Sequence, residues 1–178
     1  MATIYYTASS VDGFIATPEH SLAWLLERDV DPRGPMGHDD FMAGVGALAM
    51  GAGTYRWLLA NGLDEDRTWP YRIPSWVHTH RMVEAVHPSI TPTQAPVQDV
   101  HRQMAEAAGG RDVWVVGGGD VAGQFADAGL LDEVWVQYAP VTLGAGSPLL
   151  PRELELELLD VERNRDFACV RYRVLPGG

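Results

Sequence analysis

The sequence predicts an α/β fold built on a mainly parallel sheet with an antiparallel edge. Three observations predict it. Two short apolar runs each turn through glycines into a helix, strand and helix patterns alternate along the middle of the chain, and two strands follow one another at the carboxyl end. Alternating elements are typical of parallel βαβ units, whereas strands joined by a short turn are antiparallel. No repeat, linker or low-complexity segment interrupts the pattern, so residues 1–178 are expected to form a single domain.

The individual elements follow from local patterns of apolar, capping and turn residues. Ser21 is positioned to cap a helix with Leu22, Leu25 and Leu26 on one face. Gly109 follows a regular helical pattern and is expected to end it. The predicted strands are 3–9, 13–16, 47–50, 76–79, 82–86, 112–116, 133–138, 154–161 and 167–175, and the predicted helices are 22–28, 37–43, 54–60, 97–108 and a segment ending at 130. We expect residues 61–74 and 88–96 to be irregular.

Composition excludes several classes of function. The net charge of −11 argues against binding to nucleic acid or to an anionic membrane, because no basic surface is available to neutralise phosphates. It does not exclude an anionic cofactor, since a local cradle can outweigh distant charge at physiological ionic strength. Cys169 is the only cysteine and is expected in the core. The sequence has neither a signal-peptide pattern nor an apolar run long enough to span a membrane, so the cytoplasm is the expected location.

Two glycine-rich turns are candidate anion sites. One is Gly51-Ala52-Gly53-Thr54 and the other is Gly117-Gly118-Gly119-Asp120, and each follows an apolar strand and precedes a helix. Glycines at such a turn let backbone N–H groups approach a phosphate, and the helix start adds partial positive charge. A tight turn without a ligand is the alternative. Because ligands of parallel sheets gather at the carboxyl ends of strands, the two turns could lie side by side and hold a diphosphate.

A third candidate follows the strand that ends at His78-Thr79-His80-Arg81. Alternation along a strand would point His78 and His80 to the same face, which is compatible with a metal pair. No carboxylate or cysteine is patterned with them, so we expect no metal. Arg81 beside a hydroxyl is better interpreted as a phosphate clamp, and a solvated strand end is the alternative.

Together these segments resemble the dihydrofolate reductase-like superfamily, and in particular the branch of the riboflavin-biosynthesis reductase C-terminal domain. Four segments carry the resemblance, in the order in which the family has them. They are Ser9–Ala16 (SSVDGFIA), Met50–Tyr55 (MGAGTY), Val115–Gly119 (VVGGG) and Gly144–Leu150 (GAGSPLL). The resemblance implies an eight-stranded, mostly parallel sheet with flanking helices, NADPH as hydride donor, and a homodimer.

The resemblance also implies roles for particular residues. Ala8 and Ile15 would flank the nicotinamide, and His80 and Arg81 would contact the 2′-phosphate of the adenosine. The two glycine turns and their neighbours would meet the diphosphate; these residues are Gly51, Gly53, Thr54, Val116, Gly117, Gly118, Gly119 and Asp120.

On the substrate side, the resemblance implies contacts from Ser21, Trp24 and Leu149, with Asp12 as the candidate catalytic residue. Ser21 stands where bacterial dihydrofolate reductases have an acid, so efficient reduction of dihydrofolate is not expected. Asp12 could instead serve only an Asp-Gly turn, and Trp24 could be a core residue.

The sequence therefore predicts an NADPH-dependent reductase acting on a small heterocycle, carbonyl or imine. Two alternatives stay open. One is a non-catalytic protein of the same fold that binds NADPH or another ligand. The other is a reductase of the riboflavin pathway itself, which would need a phosphate site on the substrate side; Arg28 and Arg33 are the candidate cations for that site.

Overall fold

The computed structural model describes residues 1–62, 68–81 and 83–176. The strands are β1 Thr3–Ser10, β2 Phe14–Ala16, β3 Val45–Gly51, β4 Ser75–His78, β5 Ile90–Thr93, β6 Asp112–Gly117, β7 Glu133–Ala139, β8 Ser147–Pro148, β9 Leu156–Asn164 and β10 Phe167–Val174. The helices are α1 Ala23–Leu26, α2 His38–Gly44, α3 Ala52–Trp57, α4 Val97–Ala108 and α5 Gly119–Asp127, and α3 continues into a π-helical turn over Leu58–Gly62.

Eight strands form one sheet in the order β5-β4-β3-β6-β1-β7-β10-β9. The first six are parallel to one another, whereas β10 is antiparallel to both β7 and β9. The predicted α/β fold with a mostly parallel sheet and an antiparallel C-terminal hairpin is therefore confirmed. Strands β2 and β8 form a separate antiparallel pair.

The two faces of the sheet bury separate apolar clusters. Because side chains alternate along a strand, Tyr5 and Tyr6 point to opposite faces. Tyr5 belongs to the cluster that packs under α4 and α5 with Met104 and Phe125. Tyr6 belongs to the cluster on the other face, which we call the α2 face, where it stacks on Phe41 with ring centroids 4.3 Å apart. The packing of both faces leaves the carboxyl ends of the strands as the place where a ligand could reach the sheet.

Some predictions about individual strands and helices are wrong. Ile90–Thr93 is a strand, although 88–96 was expected to be irregular; Pro92 is tolerated there because β5 is an edge strand. Residues 83–86 form no strand, and Met82 lies outside the described residues. The helix predicted at 22–28 is only one turn, and Leu26 is 68% exposed instead of facing the core. Of the loop predicted at 61–74, residues 63–67 also lie outside the described residues.

The prediction for the single cysteine is confirmed. Cys169 is fully buried, and burial raises the pKa of its thiol. None of the helices in the described part of the chain has the length and apolar character needed to cross a membrane.

Candidate functional site

The two glycine turns lie side by side, as predicted. Strands β3 and β6 are neighbours in the sheet, and Met50 is paired with Gly117. On the other side of β3, Gly51 is paired with His78 at the end of β4. The carboxyl ends of β6, β3 and β4 therefore form one continuous edge, where three of the predicted site segments meet.

The first turn leaves open space at Gly53 but not at Gly51. A side chain at Gly51 would come 3.1 Å from the Val121 side chain, so this glycine allows β3 and α5 to pack closely. A side chain at Gly53 would meet nothing within 4 Å, and Thr54 beside it is half-buried. Gly53 is thus the residue of this turn that is open to a ligand.

The second turn brings Gly118 next to Ile15. Gly117 has a φ of +127°, which strongly favours glycine, and a cis peptide joins it to Gly118. Gly118 is the residue preceding α5, and a side chain there would lie 3.6 Å from the Ile15 side chain, an ordinary contact distance. Ile15, predicted to flank the nicotinamide, and Gly118, predicted to meet the diphosphate, therefore border the same space.

Gly119 has a different role from its two neighbours. It is buried, and a side chain there would come closer than 3.0 Å to the main-chain oxygens of Pro148 and Leu149. The chain itself fills the space that this glycine leaves free. This packing by itself requires glycine here, and contact of Gly119 with a diphosphate stays a prediction.

Val116 and Asp120 flank the same turn. Their side chains were expected to face the cofactor, but they do not point into the turn. Val116 is half-buried against the cluster on the α2 face. Asp120 is exposed, accepts a hydrogen bond from Gln124 at 3.0 Å and pairs with Arg152 at 3.2 Å. The Asp120 carboxylate is thus engaged by other side chains, and it would repel rather than bind a diphosphate.

The carboxylate of Asp12 holds a distant loop in place. It accepts hydrogen bonds from the Ser10 hydroxyl at 2.6 Å and from the backbone N–H groups of Leu143 and Gly144, the latter at 2.7 Å. The Ser10 and main-chain hydrogen bonds lower its pKa to about 2. Asp12 is therefore ionised at neutral pH, which is at odds with a role as proton donor.

The loop clamped by Asp12 also carries Leu149. The main chain of Leu149 donates to the oxygen of Gly13 at 2.9 Å and accepts from the Tyr5 hydroxyl at 2.9 Å. Its side chain is half-buried against the cluster under α4 and α5. Ala8 is half-buried on β1 and is paired with Gln137 of β7. Because side chains alternate along β1, Ala8 lies on the same face of the sheet as Tyr6. Leu149 packs on the opposite face at this end of the strand.

Ser21 and Trp24 differ in exposure. Ser21 is exposed, and its hydroxyl accepts the Ala23 N–H at 3.2 Å. Trp24 is 8% exposed and packs with Phe167 and Cys169, so it is mainly a core residue. Its indole N–H is buried and has no hydrogen-bond partner in the described part of the chain.

Arg81 lies at the mouth of a surface cavity of about 290 Å³ beyond the ends of β4 and β5. The cavity is lined by Thr79, Arg81, Val83, Pro92, Thr93 and Gln94. Within residues 1–62, 68–81 and 83–176, the Arg81 guanidinium forms no ion pair, and His80 beside it is exposed. Among the described residues, Arg81 is therefore a cation without a counter-ion at this cavity.

The two histidines of this segment differ in their surroundings. Burial lowers the pKa of His78, whose ring packs edge-on against Phe125 and whose buried Nε2 lacks a hydrogen-bond partner among the described residues. His80 is exposed, and no group of three or more potential ligands that could hold a metal occurs in the described part of the chain.

Sequence reasoning missed Gln137 and the loop that precedes α2. Gln137 donates hydrogen bonds from its side-chain nitrogen to the Tyr6 hydroxyl at 2.7 Å and to the Met36 main-chain oxygen at 2.9 Å. Gln137 is more than 100 residues from each of these partners in sequence, so no local pattern could have indicated the contacts.

The fold is similar to several solved structures. A provisionally assigned riboflavin biosynthesis protein from Shewanella sp. PV-4 superposes with a TM-score of 0.82 at 26% identity, covering 99% of this chain and all of that one. A deaminase/5-amino-6-(5-phosphoribosylamino)uracil reductase from Thermotoga maritima gives 0.68 at 18% identity, covering 98% of this chain and 56% of that one. A pyrimidine reductase-like protein from Corynebacterium diphtheriae gives 0.66 at 14% identity, covering 99% and 92%.

Sequence relatives lead to the same family. The uncharacterised proteins YwjB and YyaP of Bacillus subtilis (strain 168) are 27% and 24% identical to this chain, covering 88% and 96% of it and 88% and 87% of their own lengths. The model of the RibD C-terminal domain matches residues 2–168. The chain therefore belongs to the RibD C-terminal domain family.

Proposed function

We propose that the protein is an NADPH-dependent reductase that transfers a hydride to a small heterocyclic substrate. The observation that carries the proposal is the pair of glycine turns at the adjacent ends of β3 and β6, with open space at Gly53 and room for a side chain without a clash at Gly118. Two such turns beside each other match the shape and charge of a diphosphate, because each presents main-chain N–H groups without a side chain in the way. Membership of a family with reductase-like structures supports the same function.

The sheet order supports one orientation of the proposed cofactor along the edge of the sheet. Strands β1, β6, β3 and β4 are consecutive, so the segments proposed for nicotinamide, diphosphate and adenosine follow one another along one edge. Three strand spacings span about 14 Å, which suits an extended dinucleotide. Ala8, Ile15 and Gly118 would border the nicotinamide, and Arg81 would bind the 2′-phosphate from the cavity beyond β4.

The side chains need to supply little chemistry in this reaction. Bound NADPH supplies the hydride, and the protein orients the reactants and excludes water. Tyr5 and Asp12 contribute by fixing the loop that carries Leu149 over the end of β1. Because Asp12 is already ionised, we propose that the proton comes from solvent.

The substrate is proposed to be a neutral pyrimidine-like ring. The Thermotoga protein is described as a uracil-derivative reductase and the Corynebacterium protein as pyrimidine reductase-like. Ser21 has no charge with which to stabilise a protonated pterin, which favours a ring that reacts without such support.

Ligand binding without turnover is the second candidate. It is favoured by one observation: Ser21 is neutral and Asp12 is engaged by the 143–144 main chain, so neither is available as an acid. This candidate shares the cofactor site with the first and differs only in chemistry.

We also propose a homodimer formed through the β9–β10 hairpin. Leu156, Leu158 and Val161 of the edge strand β9 are 38%, 58% and 58% exposed, which is unusual for an unpaired edge. Residues 156–174 contain four arginines and four carboxylates, so this hairpin is neutral in a protein of net charge −11. Two copies could therefore approach here without charge repulsion, and a two-fold axis would pair the same patch with itself.

The proposed reductase is tested by following NADPH absorbance at 340 nm with a panel of pyrimidines, pterins and small carbonyl compounds. We expect oxidation with at least one pyrimidine and none with the Gly118→Asp variant, whose carboxylate would conflict with the diphosphate. NADPH binding without oxidation by any substrate would favour the non-catalytic candidate. Equal turnover by parent and variant would contradict the cofactor site.

A further inference from the structure

The amide of Gln137 has a fixed orientation. Its Nε2 donates to the Tyr6 hydroxyl at 2.7 Å and to the Met36 carbonyl oxygen at 2.9 Å, and the Tyr6 hydroxyl also donates to that oxygen at 2.9 Å. Because a main-chain carbonyl can only accept, the nitrogen of the amide must face Met36. Both N–H groups are thereby used, and Oε1 must point away from this network.

Among the described residues, the Oε1 atom of Gln137 has no hydrogen-bond partner. No donor in residues 1–62, 68–81 or 83–176 forms a hydrogen bond with it, and the residue is only half-buried. Gln137 is paired with Ala8 across β7 and β1, so it lies next to the residue proposed to border the nicotinamide. The acceptor is therefore close to the place where a hydride would leave the cofactor.

Several titratable groups around this acceptor are uncharged. Burial raises the pKa values of Tyr6 and Cys169 and lowers that of His38, so all three are uncharged at neutral pH. Glu133, on the same face of β7, is paired with Arg171 at 2.8 Å.

The unpaired acceptor suits a neutral amide edge. An amide oxygen accepts a hydrogen bond from a ring N–H, and such a bond needs no charge on either partner.

We propose that Gln137 is a specificity-determining residue whose Oε1 accepts a ring N–H of a lactam-type heterocycle such as a pyrimidinone. The inference rests on the proposed function for the presence of a substrate at this position. It adds the residue that recognises the neutral ring proposed above. A purely structural tether, which would hold only the loop around Met36, is the competing explanation.

Calorimetric titration with three probes tests the proposal without turnover. The probes are 5-aminouracil and its N1-methyl and N3-methyl derivatives, which each lack one ring N–H. We expect the parent to bind one methyl derivative at least about tenfold more weakly than 5-aminouracil, since tenfold corresponds to about 1.4 kcal/mol, within the range for a polar group left unpaired. The Gln137→Met variant should bind that derivative and 5-aminouracil alike.

The Tyr6→Phe variant is the matched control, because it removes a hydroxyl from the network and leaves Oε1 in place. The proposal predicts that Tyr6→Phe keeps the discrimination between probes, whereas a structural tether predicts that both variants lose it together. Equal binding of the three probes by the parent, or no binding at millimolar concentration, overturns the inference. A separate NADPH titration of each variant tests the proposed function: intact NADPH binding with undiscriminated probes refutes only the role of Gln137.

Discussion

Gly118 and Gly119 are adjacent in sequence, yet alanine is expected to change a different property of the protein at each position. At Gly119 the added methyl group would come closer than 3.0 Å to two main-chain oxygens, including that of Leu149, which also accepts the Tyr5 hydroxyl. At Gly118 it would make only an ordinary contact with Ile15, and the φ of −68° suits any residue. Gly119→Ala should therefore reduce stability, and Gly118→Ala should reduce cofactor binding.

The size of the stability loss at Gly119 follows from three contributions. Overpacking against the main chain costs about 1–3 kcal/mol. Displacing Leu149 weakens the hydrogen bond from Tyr5, which costs about 0.5–1.5 kcal/mol. Alanine at the start of a helix recovers up to about 1 kcal/mol. With the full recovery, the expected net loss is about 0.5–3.5 kcal/mol, or a fall in Tm of about 1–14 °C for a chain of this length.

Urea and thermal unfolding, followed by tryptophan fluorescence, measure the first effect, and NADPH titration measures the second. Gly118→Ala should unfold within about 0.5 kcal/mol of the parent and bind NADPH at least about tenfold more weakly. Parent-like stability of Gly119→Ala would show that the Pro148–Leu149 main chain does not pack on this glycine. Parent-like NADPH affinity of Gly118→Ala would refute the placement of the cofactor.

Three further substitutions test the role of Arg81, the clamp formed by Asp12 and the proposed dimer. Arg81→Ala should reduce the preference for NADPH over NADH, whereas Arg33→Ala should not; equal affinity of the parent for both cofactors would remove the role of Arg81. Because the pKa of Asp12 is lowered to about 2, its ionised form stabilises the fold above about pH 4 and this contribution is lost as the pH falls through 2. In urea unfolding, Asp12→Asn should be less stable than the parent at neutral pH, and the gap should close between pH 4 and 2; a constant gap would contradict the clamp. Leu158→Glu should halve the mass measured by light scattering while Val86→Glu leaves it unchanged, and a monomeric parent would refute the proposed dimer.

Local rules predicted the parts of the fold that depend on local interactions. The helix Val97–Ala108 has the predicted bounds and ends at Gly109, whose φ is +60°, because apolar spacing and a glycine cap are properties of neighbouring residues. The buried runs of β3 and β6 are equally visible in the sequence, and the adjacency of their glycine turns followed from the rule that parallel strands share a carboxyl edge.

The roles that the sequence could not give depend on contacts between distant segments. The Asp-Gly pattern indicates a turn, but two partners of Asp12, Leu143 and Gly144, are more than 130 residues away. The three glycines after β6 look equivalent in sequence, and only the approach of the 148–149 main chain separates Gly119 from Gly118.

Fluorescence titration of the purified protein with NADPH and with NADH tests the proposed cofactor site. We expect saturable binding of NADPH that is tighter than that of NADH, with enhanced nicotinamide fluorescence because the ring enters a site that excludes water. Failure of both nucleotides to bind at millimolar concentration would contradict the proposed cofactor site and leave only the fold and the family.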